Sequence, residues 1–163
     1  MLSQVFAPEV VVMILSALPI SEVRGGIPYG LLVGLPLWKV LALAVPANVL
    51  SVVPVILFFN WAAERLADAP LLGRVLNHML KKARSKEDIV NKYGVWAVTL
   101  FVAIPLPFTG AWTGATVAAV FGMSFWRAVG CMVVGVIIAS TIVTLITYGS
   151  IGAYEAVAMG TAP

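Results

Sequence analysis

The chain has 163 residues, of which 61% are hydrophobic and 10% charged, and its mean hydropathy is +1.04. A soluble domain carries roughly 25% charged residues, so there is too little polar side chain here to cover a water-facing surface; a soluble globule is excluded and a single integral membrane domain is left. The formal net charge of +3 is gathered in one segment, and a lone cysteine excludes an internal disulfide framework.

Met1 to Gln4 lack the basic residue that a cleaved leader needs, so the first apolar run is expected to belong to the mature chain. That run, Val5–Ile20, meets Ser21-Glu22-Val23-Arg24-Gly25-Gly26-Ile27-Pro28, and a short arm, Leu31–Trp38, then ends at Lys39. Two half-length arms around a break predict a re-entrant hairpin, which is tolerated at membrane depth only where protein buries the backbone or water lines it. Val40–Phe59 fits one crossing, since a spanning helix needs about 20 apolar residues. Val95–Trp126 is too long for one helix and too short for two crossings with a turn. Its middle, Pro105-Leu106-Pro107-Phe108-Thr109-Gly110, breaks a helix and predicts a second hairpin. Ala128–Tyr148 fits the second crossing. Full-length spans in place of the hairpins, with both termini cytoplasmic, are the alternative.

Between the halves, residues 61–93 hold seven of the ten Lys and Arg residues and four acids, a net +3 that equals the charge of the whole chain. The positive-inside rule makes this connector cytoplasmic. Leu71, Leu72, Val75, Leu76, Met79, Leu80 and Ala83 follow helical spacing, with Arg74, Lys81 and Lys82 elsewhere on the wheel, which predicts an interfacial amphipathic helix. Its basic face is either a topology determinant or an anionic-lipid site. The single histidine, His78, lies there without a ligand cluster and reads as a surface residue.

An internal repeat organises the rest. Leu18–Val40 aligns with Leu106–Ala128 at an offset of 88, pairing Leu18 with Leu106, Pro19 with Pro107, Gly26 with Gly114, Gly34 with Gly122 and Trp38 with Trp126. Apolar bias alone does not readily align a Pro, two Gly and a Trp in one register. Each copy precedes one full-length apolar run. If each hairpin returns to its own side, the copies point in opposite directions, as in the inverted repeats of many secondary transporters. The hairpin tips then meet near the midplane, with Trp38-Lys39 and Trp126-Arg127 as anchors at opposite faces. The expected architecture is thus an all-α integral membrane protein with a first repeat over 1–60, the connector over 61–93, a second repeat over 94–150 and a tail over 151–163.

The candidate site lies at the tips. Glu22 and Arg24 are two of only six charged residues outside the connector, beside Gly25, Gly26 and Pro28. Ionisable groups at membrane depth are costly and mark functional positions. Glu22 can exchange a proton, and Arg24 can hold an anionic group by two-pronged hydrogen bonding. The plainer reading makes them a structural pair or loop charges. The second tip, with Pro107, Thr109, Gly110, Trp112, Thr113 and Gly114, is uncharged and offers hydroxyls, an indole and backbone groups. Trp112 is equally at home as an interface anchor. Gly26, Gly30 and Gly34 recur every fourth residue, a spacing that lets helices approach closely. Asn48, Ser140, Thr144 and Thr147 are weaker candidates, explained as well by helix–helix hydrogen bonds, and Cys131 reads as a small core residue.

These two tip motifs, taken in order, resemble the small multi-drug export protein family over nearly the whole chain. The paired-hairpin plan also resembles the DedA/VTT superfamily, whose members include lipid transporters and scramblases. That second resemblance implies movement of a phospholipid or polyprenyl phosphate between leaflets. In the DedA pattern acids lie in the first hairpin and arginines in the second, whereas here Glu22 and Arg24 share the first.

The expected function is a small transporter of an anionic lipid or amphiphile, with Glu22 available for proton coupling. Export of small amphipathic drugs, or an oligomeric scaffold without transport, are the alternatives. No nucleophile–base pair or metal-ligand cluster stands out, so no enzyme activity, cofactor or metal is expected. The expected partners are membrane lipids and a lipid or small-molecule substrate, with no nucleic acid. The Gly-rich repeat allows a homo-oligomer, and the expected location is the cell (inner or plasma) membrane, multi-pass.

Overall fold

The computed structural model describes residues 6–66, 94–106 and 109–158. Among them are six helices and no strand: α1 (Pro8–Ala17), α2 (Glu22–Leu32), α3 (Leu37–Leu66), α4 (Val95–Ala103), α5 (Ala111–Val120) and α6 (Phe125–Ala158). A short, short, long order thus occurs twice. The amphipathic connector pattern, His78 and Pro107 lie outside the described residues.

Two of the described helices are long and apolar enough to cross a bilayer, over Leu37–Phe59 and Phe125–Tyr154. Both carry large side chains turned outward, among them Leu50, Leu57, Leu145 and Ile146. A soluble monomer rarely exposes so much contiguous apolar surface. The helices run further than the sequence pattern places the crossings, because Trp38 and Trp126, both strongly exposed, begin the helices rather than end the preceding arms.

α1 lies along α3 in the same direction. Glu9, in the first turn of α1, pairs with Lys39 at 2.7 Å, and the Ser16 carbonyl near the end of α1 accepts from Asn48 Nδ2 at 2.8 Å. Asn48 is the central residue of the apolar stretch Leu37–Phe59. It lies about 14 Å along the axis from Lys39, close to half the roughly 30 Å hydrocarbon core. α1 therefore ends level with the middle of the span. α2 returns from there, and a side-chain carbon added at Gly30 would fall 2.8 Å from Val40. In the second half α4 runs beside α6. Cys131 Sγ sits 3.6 Å from the Val95 carbonyl, and Gly135 approaches Thr99 and Val102.

The short helices turn into the long ones identically at the 88-residue offset. Gly34 (φ +83°) and Gly122 (φ +67°) both take the left-handed conformation that ends a helix. The N–H groups of Gly34 and Leu35 bond back to the carbonyls of Leu31 and Gly30, and those of Gly122 and Met123 to Ala119 and Ala118. The two halves interlock, α3 packing on α5 and α6 and α2 on α6. The core between them is small-residue and β-branched, with Val12, Ile27, Val40, Ala44, Ala115, Ala118, Met132 and Val136 almost fully buried. Cys131 belongs to it as a free thiol.

One boundary differs from the sequence pattern. The first break is Leu18–Ser21, not Ser21–Pro28, so Gly25, Gly26 and Pro28 lie inside α2. The glycines are there for proximity: an added carbon at Gly26 would fall 2.0 Å from Ser16 Oγ, and one at Gly25 would fall 2.7 Å from Ser21 Cβ. Such close approach, to α1 at Gly26 and to the break at Gly25, outweighs the modest cost of a helical glycine. The second break falls where the prolines place it, with Pro105, Leu106, Thr109 and Gly110 between α4 and α5.

Candidate functional site

Both breaks leave helix ends whose backbone groups have no partner within the helix, and wherever they are buried each needs one. At the end of α1 the last four carbonyls are all taken. Ile14 accepts from the Leu18 N–H at 3.1 Å, Leu15 from the Ser21 hydroxyl, Ser16 from Asn48, and Ala17 from the Trp112 indole N–H at 3.2 Å. The last donor comes from the other half of the chain.

The favour is returned by Arg24. Its guanidinium donates to the carbonyls of Leu106 and Thr109 in the second break, and to Glu22 Oε2 at 3.2 Å. Glu22 Oε1 in turn accepts the Trp112 backbone N–H at 3.3 Å, in the first turn of α5. A carboxylate there suits the positive end of the helix dipole. Glu22 therefore caps α5 from the first half, while Arg24 closes the carbonyls that precede it. The Glu22 side chain is 5% exposed and the Arg24 side chain 24%.

The contact follows the internal repeat. Glu22 aligns with Gly110 and Arg24 with Trp112, and Glu22 meets both Gly110 and Trp112. Arg24 and Trp112 each donate N–H groups to carbonyls at the other half's break. Glu22 has φ +48°, alone among described non-glycine residues in being positive, while Gly110 has φ +156°. Strained backbone of this kind persists only where the surroundings enforce it. A carbon added at Gly110 would fall 2.0 Å from Glu22 Oε2, so the carboxylate occupies the space that a side chain there would need.

The remaining candidates separate. Thr109 bonds within its own break, its hydroxyl donating to the Ile104 carbonyl at 2.7 Å. Thr113 is exposed and donates to the Gly110 carbonyl at 3.2 Å, away from the charges. Gly114 is a packing position, 2.3 Å from Val102 by the same test, and Pro28 sits midway along α2. Trp112 is a tie between the halves rather than a free headgroup ligand. Thr144 and Thr147 bond to their own helix. The backbone partners Ala17 and Leu106 carry no side-chain signal; only the repeat alignment points at this contact, by setting Glu22 against Gly110.

Fold and site together define a small α-helical membrane protein whose two halves are joined by a charged contact between broken helices. A sequence model of the family described as "Putative small multi-drug export protein" matches residues 22–142, and the chain belongs to that family. No curated protein and no solved structure matches it.

Proposed function

We propose that the protein is a multi-pass transporter of the cell membrane that moves an anionic amphiphile, such as a polyprenyl phosphate or phospholipid, without covalent chemistry. In this reading α1–α2 and α4–α5 are re-entrant hairpins entering from opposite faces, the two halves form an inverted repeat on a DedA-like plan, and α3 and α6 are the crossings. The level of Asn48 against Ser16 supports it.

The observation that carries the substrate class is the unequal burial of the pair. The Glu22 side chain is sealed, and the Arg24 side chain is the part of the pair that solvent or substrate reaches. An approaching anion meets Arg24, whereas an approaching cation meets no free acid. The Glu22 carboxylate occupies the place an anionic head would take, against Arg24 and the start of α5. Substrate binding is then an exchange, in which the head displaces Glu22 from Arg24. Competition between Glu22 and the head for one cation is the point at which proton coupling would enter. The family description favours a second reading, export of drug-like amphiphiles, which the same exchange serves when the drug carries an acidic group.

The test is flux in proteoliposomes with a fluorescent anionic lipid and a cationic dye side by side. Saturable flux of the anionic probe, lost in Arg24→Ala and made independent of a pH gradient in Glu22→Gln, is expected. Cation flux that needs Glu22 but tolerates Arg24→Ala would move the protein to cation export. No flux of either probe from intact protein would favour the scaffold. In a Cys131→Ala background, single cysteines replacing Trp38 and Trp126 are expected to label from opposite sides of the membrane.

A further inference from the structure

A groove of about 370 Å³ opens between the two long helices, lined by Ala42, Val45 and Pro46 of α3 and Ile137, Ser140 and Thr141 of α6. Ser140 is at the midpoint of the stretch Phe125–Tyr154, so the groove lies deep in the apolar zone, and its size is within the range of small-molecule sites. No charged residue lines it.

Two features set its wall apart from ordinary lipid-facing surface. α6 carries five aliphatic hydroxyls, and four of them, on Thr141, Thr144, Thr147 and Ser150, donate to a carbonyl one turn back. The fifth, on Ser140, is buried without a partner. Across the groove, Pro46 has no N–H, so the Ala42 carbonyl lacks the donor a helix would otherwise supply. A buried hydroxyl without a partner and a helical carbonyl without its usual N–H are each costly away from water. A plain alkyl chain satisfies neither.

We infer that this groove seats the apolar body of the transported amphiphile and, among anionic amphiphiles, favours bodies that carry one uncharged hydrogen-bonding group, an amide or hydroxyl, to meet Ser140 and Ala42, over a plain polyprenyl chain. The inference rests on the reading above only in identifying the occupant with the transported molecule. Headgroup and body would then be read at separate places, the charge at Arg24 and the chain between α3 and α6.

The experiment is photolabelling of the full chain in nanodiscs with two probes, a long-chain primary amide and the alkane of equal length, each carrying the same diazirine. Saturable labelling within residues 41–46 and 137–141 is expected, with the amide favoured about five- to tenfold, the value of one hydrogen bond of ordinary strength. Ser140→Ala, nearly isosteric, should bring the two probes level without reducing alkane labelling. Ala42→Phe should fill the groove and suppress both, and Ile137→Trp does the same from the exposed wall if the first variant folds poorly. Equal labelling by the two probes, or labelling unchanged by both filling variants, would mean annular lipid only and overturn the inference. Arg24 does not line the groove, so loss of flux in Arg24→Ala with amide labelling intact separates the two proposals, while flux that needs Arg24 without selective labelling leaves the transport reading and removes this one.

Discussion

Removing the Arg24 side chain should be more damaging alone than together with the loss of the Glu22 charge. Arg24→Ala strips the guanidinium from Glu22 Oε2 and from the Leu106 and Thr109 carbonyls. The Thr109 hydroxyl, 3.0 Å from the Leu106 carbonyl, replaces the lost donor there only by giving up its bond to Ile104. The Glu22 carboxylate, almost fully buried, loses its counter-charge. Breaking a buried pair from one side costs about 3–5 kcal/mol, and the partial exposure of Arg24 puts this case near 3 kcal/mol. Glu22→Gln keeps an acceptor for the Trp112 N–H and should cost about 1–2 kcal/mol. The double variant has no stranded charge, so it should be about 1 kcal/mol more stable than Arg24→Ala alone, a coupling only directly interacting groups produce. The assay is unfolding by titration of a denaturing detergent into mixed micelles, followed by tryptophan fluorescence. If the double variant loses the sum of the two single losses, Glu22 and Arg24 do not act as a pair and the account of the site fails.

Gly110→Ala should destabilise the protein by at least about 2 kcal/mol and abolish flux, because the new carbon claims the place of Glu22 Oε2; the same unfolding titration and the flux assay read both. Gly34→Ala and Gly122→Ala should each cost about 1 kcal/mol and agree closely with one another, since both glycines hold the same left-handed cap with open space around Gly34; clearly unequal losses would mean that the two turns are not equivalent. The Lys39 hydrogen bond holds the Glu9 carboxyl below its ordinary value of 4.5. The stability this pair contributes is therefore complete above about pH 4.5 and lost as pH falls through the lowered value. The carboxyl-carbon shift of Glu9 should titrate below 4.5 in the native chain and return toward it in Lys39→Met.

Much of the architecture was written in local composition. Charge-free runs locate α3 and α6 because a bilayer-crossing helix admits almost no charge, and the Pro and Gly residues at 105–110 locate the second break because they cannot continue a helix. The repeat is legible because a left-handed turn requires glycine at both Gly34 and Gly122. Glu22 and Arg24 stand out in sequence for the same reason that makes them expensive in lipid. What the sequence could not place was the first break, since the glycines that mimic a loop there are packing positions inside α2, and nothing local distinguishes the two uses. Nor does either tip contain its own partners. The carbonyls of Ala17, Leu106 and Thr109 are invisible in a sequence, and a half-helix end is satisfied by whatever donor the fold carries to it. Only the tertiary structure decided that the charged tip would serve the neutral one, because hydrogen bonds reach about 3 Å in space while the residues that make them here lie more than eighty positions apart in the chain.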